Sequence, residues 1–181
     1  MKKILLILFL VNILCNYSNA QFVRIWEKSD ALNNLPFWFS PTETRERGIT
    51  FRAFNGNFRL YVISNLAEPT VIILDAITGD SLGTLNTQGI EGGLLFLSDI
   101  CSLAPSTNKL YACNLTNNAT ISHFKVYVWE SDTSAPQLLV EDSLSAFRIG
   151  DHLNFGFENG NHHYITASSN NNKIVDYYSY D

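Results

Sequence analysis

Two carboxylates, Asp99 and Asp151, could do chemistry if the fold brings them together, and both fall on predicted strands. Hydrolysis of a glycosidic bond needs two carboxyl groups held across it, roughly 5 Å or roughly 6.5–9.5 Å apart. Sequence spacing does not give that separation, so catalytic residues stay unassigned. The sequence contains no P-loop or G-x-G-x-x-G motif that would indicate another kind of active site.

Histidines and clustered aspartates give no metal-binding pattern. The histidines are His123, His152, His162 and His163. His162 and His163 are adjacent on a predicted strand, so their side chains point to opposite faces and cannot hold one ion together. Asp75 and Asp80 in "DAITGD" lack the dense D-x-D-x-D-G spacing of a calcium loop, and we interpret them as turn residues. We expect no metal ion and no cofactor.

Two cysteines, Cys101 and Cys113, bracket the segment "SLAPSTNKLYA". If "PSTNK" is the loop of an antiparallel hairpin, the position numbers of paired residues add up to about 214, and the two cysteines face each other. A disulfide between them suits an exported protein, although directly opposed cysteines make a tight geometry. The alternative is a pair of small buried apolar side chains. Both interpretations remain open at this point.

An aromatic cluster, "LPFWFSP", places Phe37, Trp38 and Phe39 between two prolines. Such rings can form a platform for sugars or apolar partners, but they more often cover one end of a hydrophobic core. Trp26 and Trp129 fall on predicted outer strands, where we expect them to pack between repeats.

The elements that must position these residues are short strands. Apolar runs rich in β-branched and aromatic residues alternate with Asn, Gly, Asp, Ser and Pro, which predicts an all-β fold. The predicted strands are 22–27, 48–53, 58–64, 70–75, 81–85, 98–104, 109–114, 123–130, 136–141, 151–157, 162–168 and 173–180. Asn55-Gly56 and Asn159-Gly160 are dipeptides that favour tight hairpin turns.

The strands recur with a period of about 50 residues, which is typical of β-propeller blades. Equivalent points are marked by Ile49, Ile100 and Leu153, and by Tyr61, Tyr111 and Tyr164. We predict β-propeller-type four-stranded blades in about three repeats, at 48–90, 98–143 and 150–181. A β-sandwich, which also uses many short strands, is the alternative.

The third repeat is incomplete, because it contains three predicted strands and lacks a fourth. The strand at 22–27 has no partner in its own repeat and is a candidate closing strand for it. Rings typically hold four to eight blades, so three blades predict a partial propeller.

The N-terminus has the pattern of a secretory signal peptide, with two lysines, an apolar run and a small-residue site before residue 21. We predict cleavage near Ala20, a domain at 21–181, and a secreted, periplasmic or cell-surface location. Lys2 and Lys3 are the charged residues of the leader, so 12 basic and 17 acidic residues become 10 and 17. This acidic balance argues against nucleic acid as a partner. No later apolar run approaches the roughly 20 residues of a membrane span.

Three segments resemble an uncharacterised family of secreted bacterial proteins whose propeller-like domain has no known function. They are "NLPFWFSPTETRERGITF", "LYVISN" with "VIILDAITGDSLGTLNTQGIEGG", and "LYACNLTNNATISHFKVYVWE". The resemblance extends from Trp26 to Asp181 and implies architecture and export, but no reaction. Members of the family are longer, which favours a partial copy here.

Propeller geometry would gather several polar side chains on one loop face, where ligand surfaces normally lie. This inference is a fold-level analogy. The expected face contains Arg45, Arg47, Asp99, Asp151 and His152 from loops entering first strands, with Asn65, Asn114 and Asn170 from loops between second and third strands. We expect a secreted, non-catalytic binding module for an unknown protein or glycan. The alternatives are a glycan-acting enzyme that uses Asp99 and Asp151, and a surface assembly protein that self-associates through exposed blade edges.

Overall fold

Strands form almost wherever the sequence predicts them. The protein is represented by a computed structural model that describes residues 23–40, 42, 45–65, 68–103, 108–158, 162–168 and 175–180. The strands are β1 (Glu46–Phe54), β2 (Asn57–Ser64), β3 (Thr70–Asp75), β4 (Ser81–Thr84), β5 (Leu95–Ser102), β6 (Leu110–Leu115), β7 (Phe124–Trp129), β8 (Gln137–Asp142), β9 (His152–Glu158), β10 (His162–Ser168) and β11 (Val175–Tyr180). A short 3₁₀ helix lies at Asp30–Leu32. The all-β prediction is confirmed.

The strands form three antiparallel sheets in which chain neighbours are also spatial neighbours. The first sheet has the order β1-β2-β3-β4, the second β5-β6-β7-β8, and the third β9-β10-β11. In the first hairpin, Phe54 pairs with Asn57 across a two-residue turn. The turn residues Asn55 and Gly56 have φ angles of 50° and 76°, as the Asn-Gly dipeptide predicts.

The first strands of the three sheets lie side by side, so that β5 is next to both β1 and β9. Thr50 and Ser102 join β1 to β5 through their hydroxyls, and Ser102 also donates to the carbonyl of Phe51. On the other side, the N–H of Leu153 in β9 donates to a carboxylate oxygen of Asp99 in β5 at 2.7 Å. The first residues of β1 and β9 are therefore brought close to the middle of β5.

The second sheet packs against a neighbouring sheet on each face, and strand β6 is buried along its whole length. Successive side chains of a strand point to opposite faces, so Leu110 and Ala112 pack toward the first sheet while Tyr111 and Cys113 pack toward the third. Tyr111 stacks on Phe155 of β9, with ring centroids 3.9 Å apart. Such a strand is apolar at almost every position, and its one polar side chain, Asn114, is paired by hydrogen bonds.

Trp129 closes the core between the first two sheets. It is fully buried, and its indole N–H donates to the carbonyl of Asn86 at 2.8 Å. The surrounding apolar side chains of this core are Tyr61, Ile63, Val71, Ile73, Leu85, Ile90, Leu97, Ile100, Leu110, Ala112 and Tyr127. The prediction that Trp129 packs between repeats is confirmed.

The segment before β1 covers the outer face of the first sheet, which corrects the predicted strand at 22–27. Residues 23–29 contain no strand. Trp26 instead donates its indole N–H to the carbonyl of Ala76 at 3.0 Å and lies against Gly79 in the β3–β4 turn. These contacts tie the segment to the first sheet, so within the described residues it does not complete the third.

The cysteine register differs from the prediction by two positions. Cys101 pairs with Tyr111, and Cys113 pairs with Asp99, so the position numbers of paired residues add up to 212 (101 and 111) and not to about 214. The two cysteines are therefore not directly opposed, and both are free thiols. Burial raises the pKa of Cys101 to about 12 and that of Cys113 well above its ordinary value. Cys113 is buried and Cys101 is half-buried, and protonated thiols are weak nucleophiles, so the two behave as small side chains packed in or against the core.

Candidate functional site

A polar pocket of about 220 Å³ lies where the starts of β1 and β9 meet β5. We call it the acidic pocket. Its lining residues are Glu46, Arg47, Gly48, Ser98, Asp99, Asp151 and His152. Four of the side chains expected on one loop face, Arg47, Asp99, Asp151 and His152, are thus brought together by three different sheets.

Gly48 allows β1 to approach β5 closely enough to form this pocket. A Cβ atom at this position would lie 2.5 Å from Oδ1 of Asp99 and 2.6 Å from the backbone nitrogen of Ile100. Both distances are far below van der Waals contact, so any larger residue would push the two strands apart. Only glycine at position 48 allows β1 and β5 to lie this close. The sequence contains no sign of this requirement, because it depends on a contact between two sheets.

Asp99 fastens the second sheet to the third. Its Oδ1 accepts a hydrogen bond from the N–H of Ile100 at 2.9 Å, and its Oδ2 accepts one from the N–H of Leu153 at 2.7 Å. Burial raises the pKa of the Asp99 carboxyl, and this effect outweighs the opposing influence of both hydrogen bonds and of His152. Both oxygens are already used, so the group acts as a clamp between strands.

Asp151 is held by an arginine three residues earlier in the chain. Nε of Arg148 lies 2.8 Å from Oδ2 of Asp151, and a terminal nitrogen lies 2.6 Å from Oδ1. Such a two-pronged contact is the strongest geometry for this pair of groups, and it raises the pKa of Arg148. Arg148 also reaches Oδ1 of Asn117 at 3.3 Å. The negative charge of Asp151 is therefore matched within the protein.

Arg47 and His152 are the exposed side chains of the pocket. Arg47 makes no side-chain hydrogen bond or ion pair with any residue that the structure describes, so its five N–H donors remain available to a ligand. Glu46, by contrast, accepts a hydrogen bond from the N–H of Ser40 at 2.9 Å. The pocket combines fixed carboxylate acceptors with one free guanidinium.

Asn114 is misplaced in the predicted loop face. It is fully buried, with its side-chain N–H donating to the carbonyl of His123 at 2.9 Å and its oxygen accepting from the N–H of Lys125 at 2.8 Å. The amide closes the connection between β6 and β7 and cannot reach a ligand. A buried polar side chain must be paired in this way, and sequence alone did not reveal its burial.

Other members of the predicted face lie beside the pocket or beyond the described chain. Asn65 donates to the carbonyls of Leu97 at 3.1 Å and Arg45 at 3.4 Å, so it links the first sheet to the second. Arg45 lies directly before β1 and does not line the pocket. Asn170 falls outside the described residues.

Arg148 and Ser98 belong to the site but were missed in the sequence. Ser98 is 5% exposed and lines the pocket beside Asp99. Arg148 precedes Asp151 by three residues, and this R-x-x-D spacing is the signal that could have indicated their pairing.

The remaining candidates have structural explanations. Asp75 Oδ1 accepts hydrogen bonds from the N–H groups of Ile77 and Thr78, which makes it the turn residue that the sequence predicted. His123 lies 2.7 Å from Glu141 at the surface. Among the described residues, no group of three or more His, Cys, Asp and Glu side chains could hold a metal ion.

The aromatic cluster divides between surface and core. Trp38 is 8% exposed and packs with Val62, Ile72 and Leu74 on the outer face of the first sheet. Phe37 is 89% exposed. The interpretation that the cluster covers the core is therefore confirmed for Trp38.

Comparisons with known proteins bear on the fold alone. The chain matches no family model, and no curated protein matches it. It is similar to the solved structure of a DUF4623 family protein from Bacteroides eggerthii DSM 20697, with 19% sequence identity and a TM-score of 0.56. The match covers 73% of this chain and 33% of that chain, so this chain spans about a third of its neighbour's length. The neighbour comes from a family of unknown function, in agreement with the resemblance found in the sequence.

The described part of the chain contains no helix that is both long enough and apolar enough to cross a membrane.

Proposed function

We propose that the protein is an exported binding module that recognises hydroxyl groups of a glycan at the acidic pocket. The observation that carries this proposal is the free guanidinium of Arg47 beside carboxylates that are already fixed in position. Sugar hydroxyls both donate and accept hydrogen bonds, so they suit a pocket with acceptors on one side and a donor on the other. The acidic surroundings disfavour an anionic ligand here.

Binding is better supported than catalysis. A glycoside hydrolase needs one carboxyl free to give a proton and a second free to attack or to activate water. Asp99 spends both oxygens on backbone N–H groups, and Asp151 spends both on Arg148. Neither carboxylate can give a proton or attack without breaking these contacts, whereas the second lone pair of each oxygen can still accept a hydrogen bond from a sugar hydroxyl.

The three sheets are, in this proposal, successive blades of a β-propeller-type fold. Support comes from the side-by-side first strands, the repeated order of strands and the likeness to a longer protein of similar fold. The apolar leader at residues 1–20 supports export and a secreted or cell-surface location.

The test is a screen of neutral and acidic oligosaccharides on an array, followed by calorimetry with the best neutral ligand. The wild type should bind neutral oligosaccharides, and Arg47→Ala should weaken that binding about tenfold or more. Arg24→Ala is the matched control, because Arg24 is an exposed arginine that pairs with Glu27 away from the pocket. Binding that Arg47→Ala leaves unchanged, or no binding to any neutral glycan, would contradict the proposal.

A further inference from the structure

Two arginines face each other directly on the first hairpin, at the end of β1 away from the acidic pocket. Arg52 of β1 pairs with Arg59 of β2 in the strand register. Like charges in such a position repel each other. Arg52 is 3% exposed, so water cannot screen this repulsion well.

One carboxylate is shared between the two guanidinium groups. Asp132, after β7 of the second sheet, accepts from a terminal nitrogen of Arg52 at 2.6 Å and from the hydroxyl of Tyr61 at 2.8 Å, both at Oδ1. Its Oδ2 contacts Arg59. Arg52 is also fixed by the carbonyl of Asn108 at 2.8 Å. The single negative charge of Asp132 therefore neutralises only one of the two positive charges of Arg52 and Arg59.

Neighbouring acids do not supply the missing charge. Asp75 lies opposite Arg59 in the register between β2 and β3, but its Oδ1 accepts from backbone N–H groups of its own turn, and it makes no ion pair with Arg59 within the described chain. Glu130 pairs with Lys109 at 3.0 Å. The positive excess therefore remains at Arg59, whose side chain is 30% exposed.

The excess charge borders a second pocket, also of about 220 Å³, which we call the arginine pocket. Besides Arg52, Arg59 and Asp132, its walls carry amide and hydroxyl groups from the β1–β2, β5–β6 and β7–β8 connections. The polar side chains are Asn55, Asn57, Asn108, Ser131 and Thr133. The ring of Phe54 forms an apolar part of the wall. These groups can bind hydroxyls and one face of a sugar ring.

We propose that the arginine pocket binds a sugar acid through a carboxylate on Arg59, with the ring hydroxyls on the surrounding amides and hydroxyls. A carboxylate matches the planar fork of a guanidinium. It also neutralises the charge that Asp132 leaves unmatched. The acidic pocket is proposed to bind neutral sugar hydroxyls and the arginine pocket a sugar acid. Each proposal can therefore be true if the other is false.

Calorimetry at fixed ionic strength tests this site, with glucuronate as the probe, glucose as its neutral counterpart and sulfate as an anion without a ring. Glucuronate should bind the wild type, glucose should bind at least about tenfold more weakly, and sulfate should also be weaker. Arg59→Ala should reduce glucuronate binding about tenfold or more, while Arg47→Ala and the surface control Arg24→Ala leave it unchanged.

A second variant keeps the test decisive if Arg59→Ala fails to fold. Arg59→Lys keeps the positive charge beside Asp132 but removes the fork, so it should fold and still bind glucuronate several-fold more weakly than the wild type. Equal affinity for glucuronate and glucose, or sulfate binding as tight as glucuronate, would overturn the proposal. Loss of glucuronate binding in Arg47→Ala would do the same.

Discussion

The two polar pockets have the same volume, about 220 Å³, and differ in which charge is in excess. They lie at opposite ends of β1, where Arg47 and Arg52 are separated by about 17 Å of extended strand. In the acidic pocket, Asp99 and Asp151 are fixed and an arginine is free. In the arginine pocket, one aspartate is shared by two arginines. Similar residue types are thus arranged so that opposite charges are in excess at the two ends of β1.

The two pockets also separate residues that hold the sheets together from a residue that is free to contact a ligand. Asp99 and Asp132 each bridge two sheets, one through backbone N–H groups and the other through guanidinium groups. Arg47 bridges nothing among the described residues and is exposed. We therefore expect the bridging aspartates to control stability and Arg47 to affect ligand binding alone.

The largest effect should come from Asp132→Ala. The substitution leaves Arg52 and Arg59 opposed in a largely buried position, and breaking a buried ion pair costs about 3–5 kcal/mol. Urea denaturation should show this fall in the free energy of unfolding. The control Asp80→Ala removes the exposed pair with Lys28 and should cost at most about 1 kcal/mol. Equal effects of the two variants would show that Asp132 is not a bridge.

Gly48→Ala should destabilise the opposite end of β1 by about 1–3 kcal/mol, because the new Cβ collides with Asp99 and with the backbone of Ile100. It should also weaken binding at the acidic pocket. Gly83→Ala is a useful comparison, because a Cβ there meets no atom within 4 Å and only its φ of 139° opposes the substitution. Urea denaturation of both variants compares the cost of the steric collision at position 48 with the cost of backbone strain at position 83. An unchanged Gly48→Ala protein would contradict the close approach of the strands.

The pH dependence of stability should reveal the buried Asp99 carboxyl. Its folded-state pKa is raised above the ordinary value of 3.8, so the folded protein holds this proton more tightly than the unfolded chain does. The contribution of Asp99 to stability is therefore most favourable at low pH and declines as pH rises from about 3.8 through the raised pKa. The free energy of unfolding of the wild type minus that of Asp99→Asn, measured across this pH range, isolates the contribution of Asp99. This difference should fall as pH rises. A difference that increases with pH would contradict the burial.

Arg47→Ala should have the smallest effect on stability, within about 0.5 kcal/mol, because no described partner is lost. Its effect should be confined to glycan binding, measured by calorimetry on the same protein sample. A large loss of stability would mean that Arg47 is a structural residue after all.

Much of the fold could be predicted because period-two patterns and turn residues are local. The strand at 70–75 was predicted with its observed bounds, and Asn55-Gly56 correctly indicated the first hairpin turn. That two-residue turn also fixes the register, so the opposition of Arg52 and Arg59 follows from the sequence. The sequence of the β5–β6 connection is longer and contains no Asn-Gly dipeptide, which is why the register of Cys101 was wrong by two positions.

Contacts between sheets could not be predicted in the same way. Asp132 meets Arg52 because two sheets pack face to face, and nothing near either residue in the sequence encodes that distance. Arg47, Asp99 and Asp151 could be predicted to lie together because they occupy equivalent positions in the three repeats, and they line one pocket. The position of Asn114 could not be predicted in this way, because its burial depends on how the neighbouring connections fold over it.

The most direct test of the contrast between the pockets is a ¹H–¹⁵N correlation spectrum of the protein titrated with glucuronate at constant ionic strength. We predict saturable shifts at Asn55, Asn57, Arg59 and Asp132, with Arg47, Asp99 and His152 unaffected. Shifts centred on the acidic pocket, or weak shifts spread evenly over the surface, would contradict the assignment of opposite charge preferences to the two ends of β1.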